Sequence, residues 1–140
     1  MARCWVRCFI TNATMPFNFQ EVYAVVKLIP KGRVMSYAGV ARQCGRPGAQ
    51  RMVGYAMYAL KAGAKVPWWR VINSQGRISN SSTPDAPDRQ RELLRAEGIA
   101  VSEAYRVNMK HYDAELIVYE KLRRKARAKK KKPQKVALTR

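Results

Sequence analysis

The sequence predicts a mostly helical α/β domain built around a helix-turn-helix, and three observations carry that expectation. Two short helical segments flank the turn Gly45-Arg46-Pro47-Gly48, a β-prone run containing Val71-Ile72 follows them, and basic residues outnumber acidic ones 28 to 9 over 140 residues. With 47% hydrophobic residues, a chain of this length buries one modest core. The net charge of +19 opposes compaction by self-repulsion and points to an acidic partner, either nucleic acid or an anionic membrane surface. Residues 121–140 hold eleven basic residues and no acidic one, which leaves +8 for residues 1–120 (+19 less +11). The body is therefore basic in its own right. No apolar run approaches the ~20 residues of a membrane span, and no membrane partner is expected.

The elements follow in order. Asn18 with Glu21 three residues on reads as a capping box. Phe19, Val22, Val25, Val26 and Ile29 then recur at helical spacing, and Pro30 and Gly32 stop the run. A short extended piece at 33–35 leads to Ser36, a cap for a second helix ending near Cys44. After the glycine-bounded turn a third helix is expected over 49–61. Its Val53, Ala56, Met57 and Leu60 form a buried stripe, while Arg51, Tyr55 and Tyr58 share the opposite face. Two helices across such a turn make a helix-turn-helix candidate, with the second helix as reader. Residues 66–73 and 77–79, around Ser74-Gln75-Gly76, are expected to pair as a small hairpin. Asn80 to Pro87 is a polar loop, Asp88 is expected to cap a last helix through Glu97, and Gly98 closes it. An extended stretch over 99–107 runs on toward the Lys/Arg-rich end.

Three cysteines, Cys4, Cys8 and Cys44, suit a reducing compartment better than a disulfide scaffold. With His111 as the single histidine, four zinc ligands are hard to assemble, and no metal is expected. Arg3 and Arg7 without an acidic neighbour fit a disordered leader better than a transit peptide. The expected organisation is a leader over 1–16, a domain over 17–118 and a basic tail over 119–140. That tail reads as a disordered, counterion-releasing arm, and Lys129 to Lys132 equally as a nuclear address.

Four ordered blocks carry a resemblance. Gly32-Arg33-Val34-Met35-Ser36-Tyr37, Ala49-Gln50-Arg51-Met52-Val53-Gly54, Val66-Pro67-Trp68-Trp69-Arg70-Val71-Ile72-Asn73 and Leu93-Leu94-Arg95-Ala96-Glu97-Gly98 resemble the DNA-binding domain of O6-alkylguanine-DNA alkyltransferases over residues 17–110. The resemblance implies a winged-helix-like DNA-binding fold. The family's reactive block is Pro-Cys-His-Arg-Val, whereas this chain reads Pro67-Trp68-Trp69-Arg70-Val71. A thiolate is a strong nucleophile; an indole offers one N–H donor and no usable base. Tryptophan in place of the cysteine marks the alkyltransferase-like proteins, which the family pattern describes as flipping O6-alkylguanine out of duplex DNA and presenting it to nucleotide excision repair.

What the resemblance implies can be placed residue by residue. Arg51 fills the gap left by an extruded nucleotide, Tyr37 turns the neighbouring phosphate, Ala49 and Gly54 are the small positions that let the reading helix approach the minor groove, and Gln50, on the same DNA-binding stretch, departs from the family's alanine. Trp68, Trp69, Arg70 and Val71 form the lesion pocket. There is no catalytic residue, cofactor or metal. Glu97 matches the carboxylate that orients the family histidine and, with Trp69 in that place, is expected to lack its partner. The stretch Asn80-Ser81-Ser82 carries none of the arginine that some members use to contact the base. Implied partners are double-stranded DNA carrying O6-alkylguanine and excision-repair proteins, with a monomer in the nucleus of a eukaryote or the nucleoid of a bacterium. Two rivals remain: a general basic nucleic-acid binder with a vestigial pocket, and an alkyltransferase acting through Cys44 or another thiol.

Overall fold

The structure, a computed structural model, describes residues 18–131. Helix α1 spans Phe19–Val26, started by the Asn18 side chain, which accepts the Gln20 N–H at 2.9 Å. The apolar repeat continues to the buried Ile29, yet the regular helix stops earlier. Leu28 and Ile29 donate instead to the carbonyls three residues back. A residue before proline avoids the helical region, so the last turn tightens before Pro30.

Strand β1 (Met35–Ser36) leads into helix α2 (Tyr37–Gln43), whose first turn is capped by the Ser36 hydroxyl accepting from Gly39 N–H at 2.9 Å. Helix α3 (Gln50–Tyr58) follows the turn and buries Val53 and Ala56. A single 3-10 turn, Trp68–Arg70, then delivers strand β2, Val71–Ile72.

The expected hairpin does not form as a ladder between 71–72 and 77–79. β2 pairs in parallel with β1, Met35 opposite Val71 and Ser36 opposite Ile72. The turn itself is present: Asn73 accepts from Gly76 N–H and donates to the Arg77 carbonyl. Beyond it the chain diverges, and Arg77 pairs antiparallel with Arg106 as Ile78 N–H reaches the Tyr105 carbonyl. The reason lies in burial. Val71 and Ile72 are both fully buried, the pattern of a strand covered on both faces rather than of a half-exposed hairpin arm. Val71 and Met35 enter one core with α1, α2 and α3, while Ile72 and Val34 enter a second with Leu94, Ile99, Val101 and Val107.

Helix α4 covers Ala86–Ala96. Asp85, not Asp88, stands at its N-cap, because Pro87 with its fixed φ suits the first helical turn. Asp88 accepts instead from the Tyr105 hydroxyl at 2.7 Å and from Arg91 at 3.0 Å. The helix ends as expected at Gly98, φ +86°, with Ile99 N–H returning to the Leu94 carbonyl. Both Leu94 and Ile99 are buried beneath that turn.

After the short helix α5 (Met109–Tyr112), helix α6 runs over Glu115–Lys131. It crosses the boundary expected at 118/119 without a break. Residues 121–131, read from composition as a disordered arm, are helical, because Ala114, Val118 and Leu122 make a stripe at four-residue spacing that packs on the first core. The leader over 1–16 and residues 132–140 lie outside the described residues.

Candidate nucleic-acid interface

A groove of about 1090 Å³ opens between α3 and the loop before α4. One wall is formed by Tyr37 of α2, Gly48 of the turn, and Gln50, Arg51, Gly54, Tyr55 and Tyr58 of α3. The other is residues 79–83, five small or polar side chains. Four of the DNA-facing residues named from sequence, Tyr37, Gln50, Arg51 and Gly54, therefore line one surface. The fifth, Ala49, is the residue preceding α3 and packs partly against the core.

The helical wall is shaped for close approach. A Cβ on Gly54 would meet nothing within 4 Å, so this stretch of helix presents bare backbone to the groove. Arg51 is exposed and engages no acidic partner among the described residues. Tyr55 and Tyr58 are 55% and 74% exposed and line the groove. Tyr37 is half-buried, its ring packed on the first core, and that burial raises its phenol pKa above the ordinary 10.0, so it stays a neutral hydrogen-bonding group.

The reactive-block positions are distributed differently. Trp68 belongs to neither core cluster and meets Trp69 edge to face, ring centroids 6.1 Å apart. Trp69 packs on the second core, and its indole N–H donates to Glu97 Oε1 at 2.9 Å. Arg70 grips the same carboxylate through Nε and Nη2, the latter at 2.7 Å, and donates to the Ile29 carbonyl at 2.7 Å. Val71 is fully buried in β2. Of the two indole rings, that of Trp68 is committed neither to the core nor to Glu97. Both tryptophans stand outside the lining of the α3 groove.

The expectation that Glu97 lacks a partner is corrected by this geometry. The indole N–H stands in for a ring N–H, Arg70 adds a charged fork, and the Gly32 amide donates at 3.3 Å. Burial alone pushes the Glu97 pKa up; the hydrogen bonds from Arg70, Trp69 and Gly32 together outweigh it and hold the carboxyl below its usual range. Gln90, which sequence reading missed, clamps the 3-10 turn by donating to the Trp69 and Val71 carbonyls at 3.0 and 2.9 Å. Its signal was a glutamine on the inward face of an amphipathic helix.

The remaining candidates lie apart from the groove. Cys44 is half-buried against the first core and does not line it. Burial, aided by the charge of Glu21 and opposed by Arg46, pushes its thiol up to about 12, far from a reactive thiolate. Cys4 and Cys8 lie outside the described residues. His111 is exposed and stacks edge to face on Tyr112. Among the described residues no cluster of three His, Cys, Asp or Glu could hold a metal ion, and no helix is long and apolar enough to cross a membrane.

Comparison with known proteins places this arrangement. Residues 18–99 match the family model of the 6-O-methylguanine DNA methyltransferase DNA-binding domain. A DNA base-flipping protein of Vibrio parahaemolyticus is 46% identical over 92 residues, spanning 66% of this chain and 90% of the relative. Alkyltransferase-like protein 1 of Schizosaccharomyces pombe is 38% identical over 98 residues, 67% of this chain and 91% of the relative. The crystal structure of S. pombe Atl1 in complex with damaged DNA containing O6-carboxymethylguanine superposes with a TM-score of 0.67 at 36% identity, over 71% of this chain and 97% of that one. A mostly helical domain with a two-stranded sheet, a helix-turn-helix and a tryptophan pair ahead of β2 thus belongs to the 6-O-methylguanine DNA methyltransferase DNA-binding-domain family.

Proposed function

We propose that this protein recognises O6-alkylguanine in duplex DNA by flipping the nucleotide and transfers nothing. The observation that carries the reading is the Trp68-Trp69 pair in the reactive block. No thiol stands there, and the indole N–H of Trp69 is already donated to Glu97. Tyr37 and Arg51 on the α3 groove serve as the flipping apparatus, and Trp68 as the aromatic wall for the extruded base. Extrusion costs a few kcal/mol, which a guanidinium stacked in the vacated space offsets by contacting both neighbouring bases. The protein acts as a monomer wherever the cell keeps its DNA, and the flipped lesion is handed to nucleotide excision repair.

The test is twofold. Incubation with duplex carrying labelled O6-methylguanine should leave no label on the protein, and the alkylated duplex should bind more tightly than the plain one. Stoichiometric transfer would refute the non-catalytic reading, and its loss in Cys44→Ser would assign the chemistry to that thiol. A second reading, a general binder of basic character with a vestigial pocket, is favoured by the position of both tryptophans outside the groove lining. Equal affinity for plain and alkylated duplex would establish it.

A further inference from the structure

We infer that the exposed end of α6 is a second nucleic-acid contact, a rigid basic helix that lies along the phosphate backbone flanking the duplex held at the α3 groove. The inference rests on the reading that this groove takes duplex DNA. The root of the helix is fixed. Ala114 and Val118 are fully buried, Leu122 packs on the first core, and the Lys121 ammonium donates to the Leu28 carbonyl at 3.0 Å. Arg42, on the first helix of the helix-turn-helix, holds Glu115 by two hydrogen bonds of 2.7 Å.

Beyond Leu122 the character of the helix changes. Every residue from 123 to 131 is exposed; seven of the nine are Lys or Arg, and the others are Ala126 and Ala128. No acidic residue follows Glu120, whose pairing with Arg123 at 3.9 Å is loose. Like charges three and four residues apart on a helix repel by about 0.2–0.5 kcal/mol per pair; Arg123 is partly offset by Glu120 and the Tyr119 ring and the last-turn lysines by the helix dipole, but no acidic residue within the segment neutralises its seven charges. A polyanion supplies the missing counter-charge. The same segment has no apolar face with which to enter a bilayer interface, which argues for duplex over membrane.

Position favours the same duplex. The turn at 45–48 is shared between two surfaces. Gly48 lines the α3 groove, while Gly45 and Pro47 line a second groove with Tyr119, Leu122 and Ala126 of α6. The basic helix therefore starts where the reading surface ends. At about 1.5 Å per residue, its exposed part is roughly 12 Å long, and B-DNA carries a charge every ~1.7 Å of axis. The lengths and charges are commensurate.

The experiment compares the full chain with two variants by fluorescence anisotropy on plain and O6-methylguanine duplexes across a salt series. In the first, the seven basic residues from Arg123 to Lys131 become Gln, a comparable helix former; Val118 and Leu122 are untouched, and a thermal melt checks the fold. In the second, Ala126→Pro keeps every charge but breaks the helix. With about half of the seven side chains on the helix face toward the duplex, the Gln variant should flatten the log–log salt slope by about 3, at roughly 0.9 for each phosphate no longer neutralised, and the Pro variant by at least ~1. An unchanged slope in the Gln variant overturns the contact. A wild-type slope in the Pro variant overturns the rigid helix in favour of a flexible polycation. Charge-dependent capture by phosphatidylserine vesicles exceeding that by duplex overturns the choice of partner. Because the slope is read on plain duplex, failure of the wild type to prefer the alkylated duplex would defeat the damage reading and leave this inference standing.

Discussion

Glu97 receives the Trp69 indole, the Arg70 fork and the Gly32 amide, and its charge is held in place by all three. Glu97→Gln keeps the shape and leaves the Arg70 guanidinium, only 14% exposed, facing a neutral amide. Breaking a pair at such a site costs about 3 kcal/mol, expected as a lower denaturation midpoint at pH 7. The sign of the pH dependence follows from the depressed pKa. The pair stabilises fully above the unfolded-state value of about 4.3 and loses its effect as pH falls through the folded-state value. The gap between wild type and variant should therefore close toward acid, and a gap constant down to about pH 3 would place its origin elsewhere. Arg51 and Trp68 should fail differently. Arg51→Ala should weaken binding and lower the fluorescence rise of a reporter base beside the lesion. Trp68→Ala should cost about 1–3 kcal/mol on alkylated duplex and little on plain duplex. Equal losses on both would remove Trp68 from damage reading.

At the scale of elements, helix starts and stops were legible wherever a local signal governs them. Asn18, Ser36 and Gly98 hold the positions their residue types predict, since a cap is decided within a few residues. Strand partners were not legible. Val71-Ile72 has the same local sequence whether it pairs with 77–79 or with Met35–Ser36, and only the burial of both faces selects the parallel partner. Gly76 marks where the diverging chain is pinned: its φ is +76°, and a Cβ there would stand 2.5 Å from the Val107 carbonyl. Gly98 has a similar φ and nothing within 4 Å. Gly98→Ala should thus cost only the backbone strain, about 1–2 kcal/mol. Gly76→Ala should cost a further 1–3 kcal/mol, roughly that of overpacking. Equal shifts in urea midpoint would mean that the 76–107 contact gives way without penalty.

Across the whole molecule, charge and shape act on different quantities. Phosphate contacts are the same on plain and damaged duplex, whereas the base-reading contacts are not. Raising salt from 50 to 200 mM should therefore weaken both by several orders of magnitude if about 6–10 phosphates are engaged, while the ratio of the two affinities stays nearly level. A preference for damage that collapses with salt would make it electrostatic in origin. A similar separation divides what is local in this protein from what is not. The helix-turn-helix, the groove-facing residues of α3, the missing thiol of the reactive block and the basic excess are all readable from the chain alone, because each is written in local spacing or residue type. Three other features emerge only on folding: Glu97 is satisfied by an indole 28 residues away, Arg70 is drawn to Glu97 and the Ile29 carbonyl while Val71 enters the first core, and the basic arm is a helix rooted on α2. Those outcomes depend on which buried surfaces meet, and burial is a property of the packed chain rather than of any segment of it.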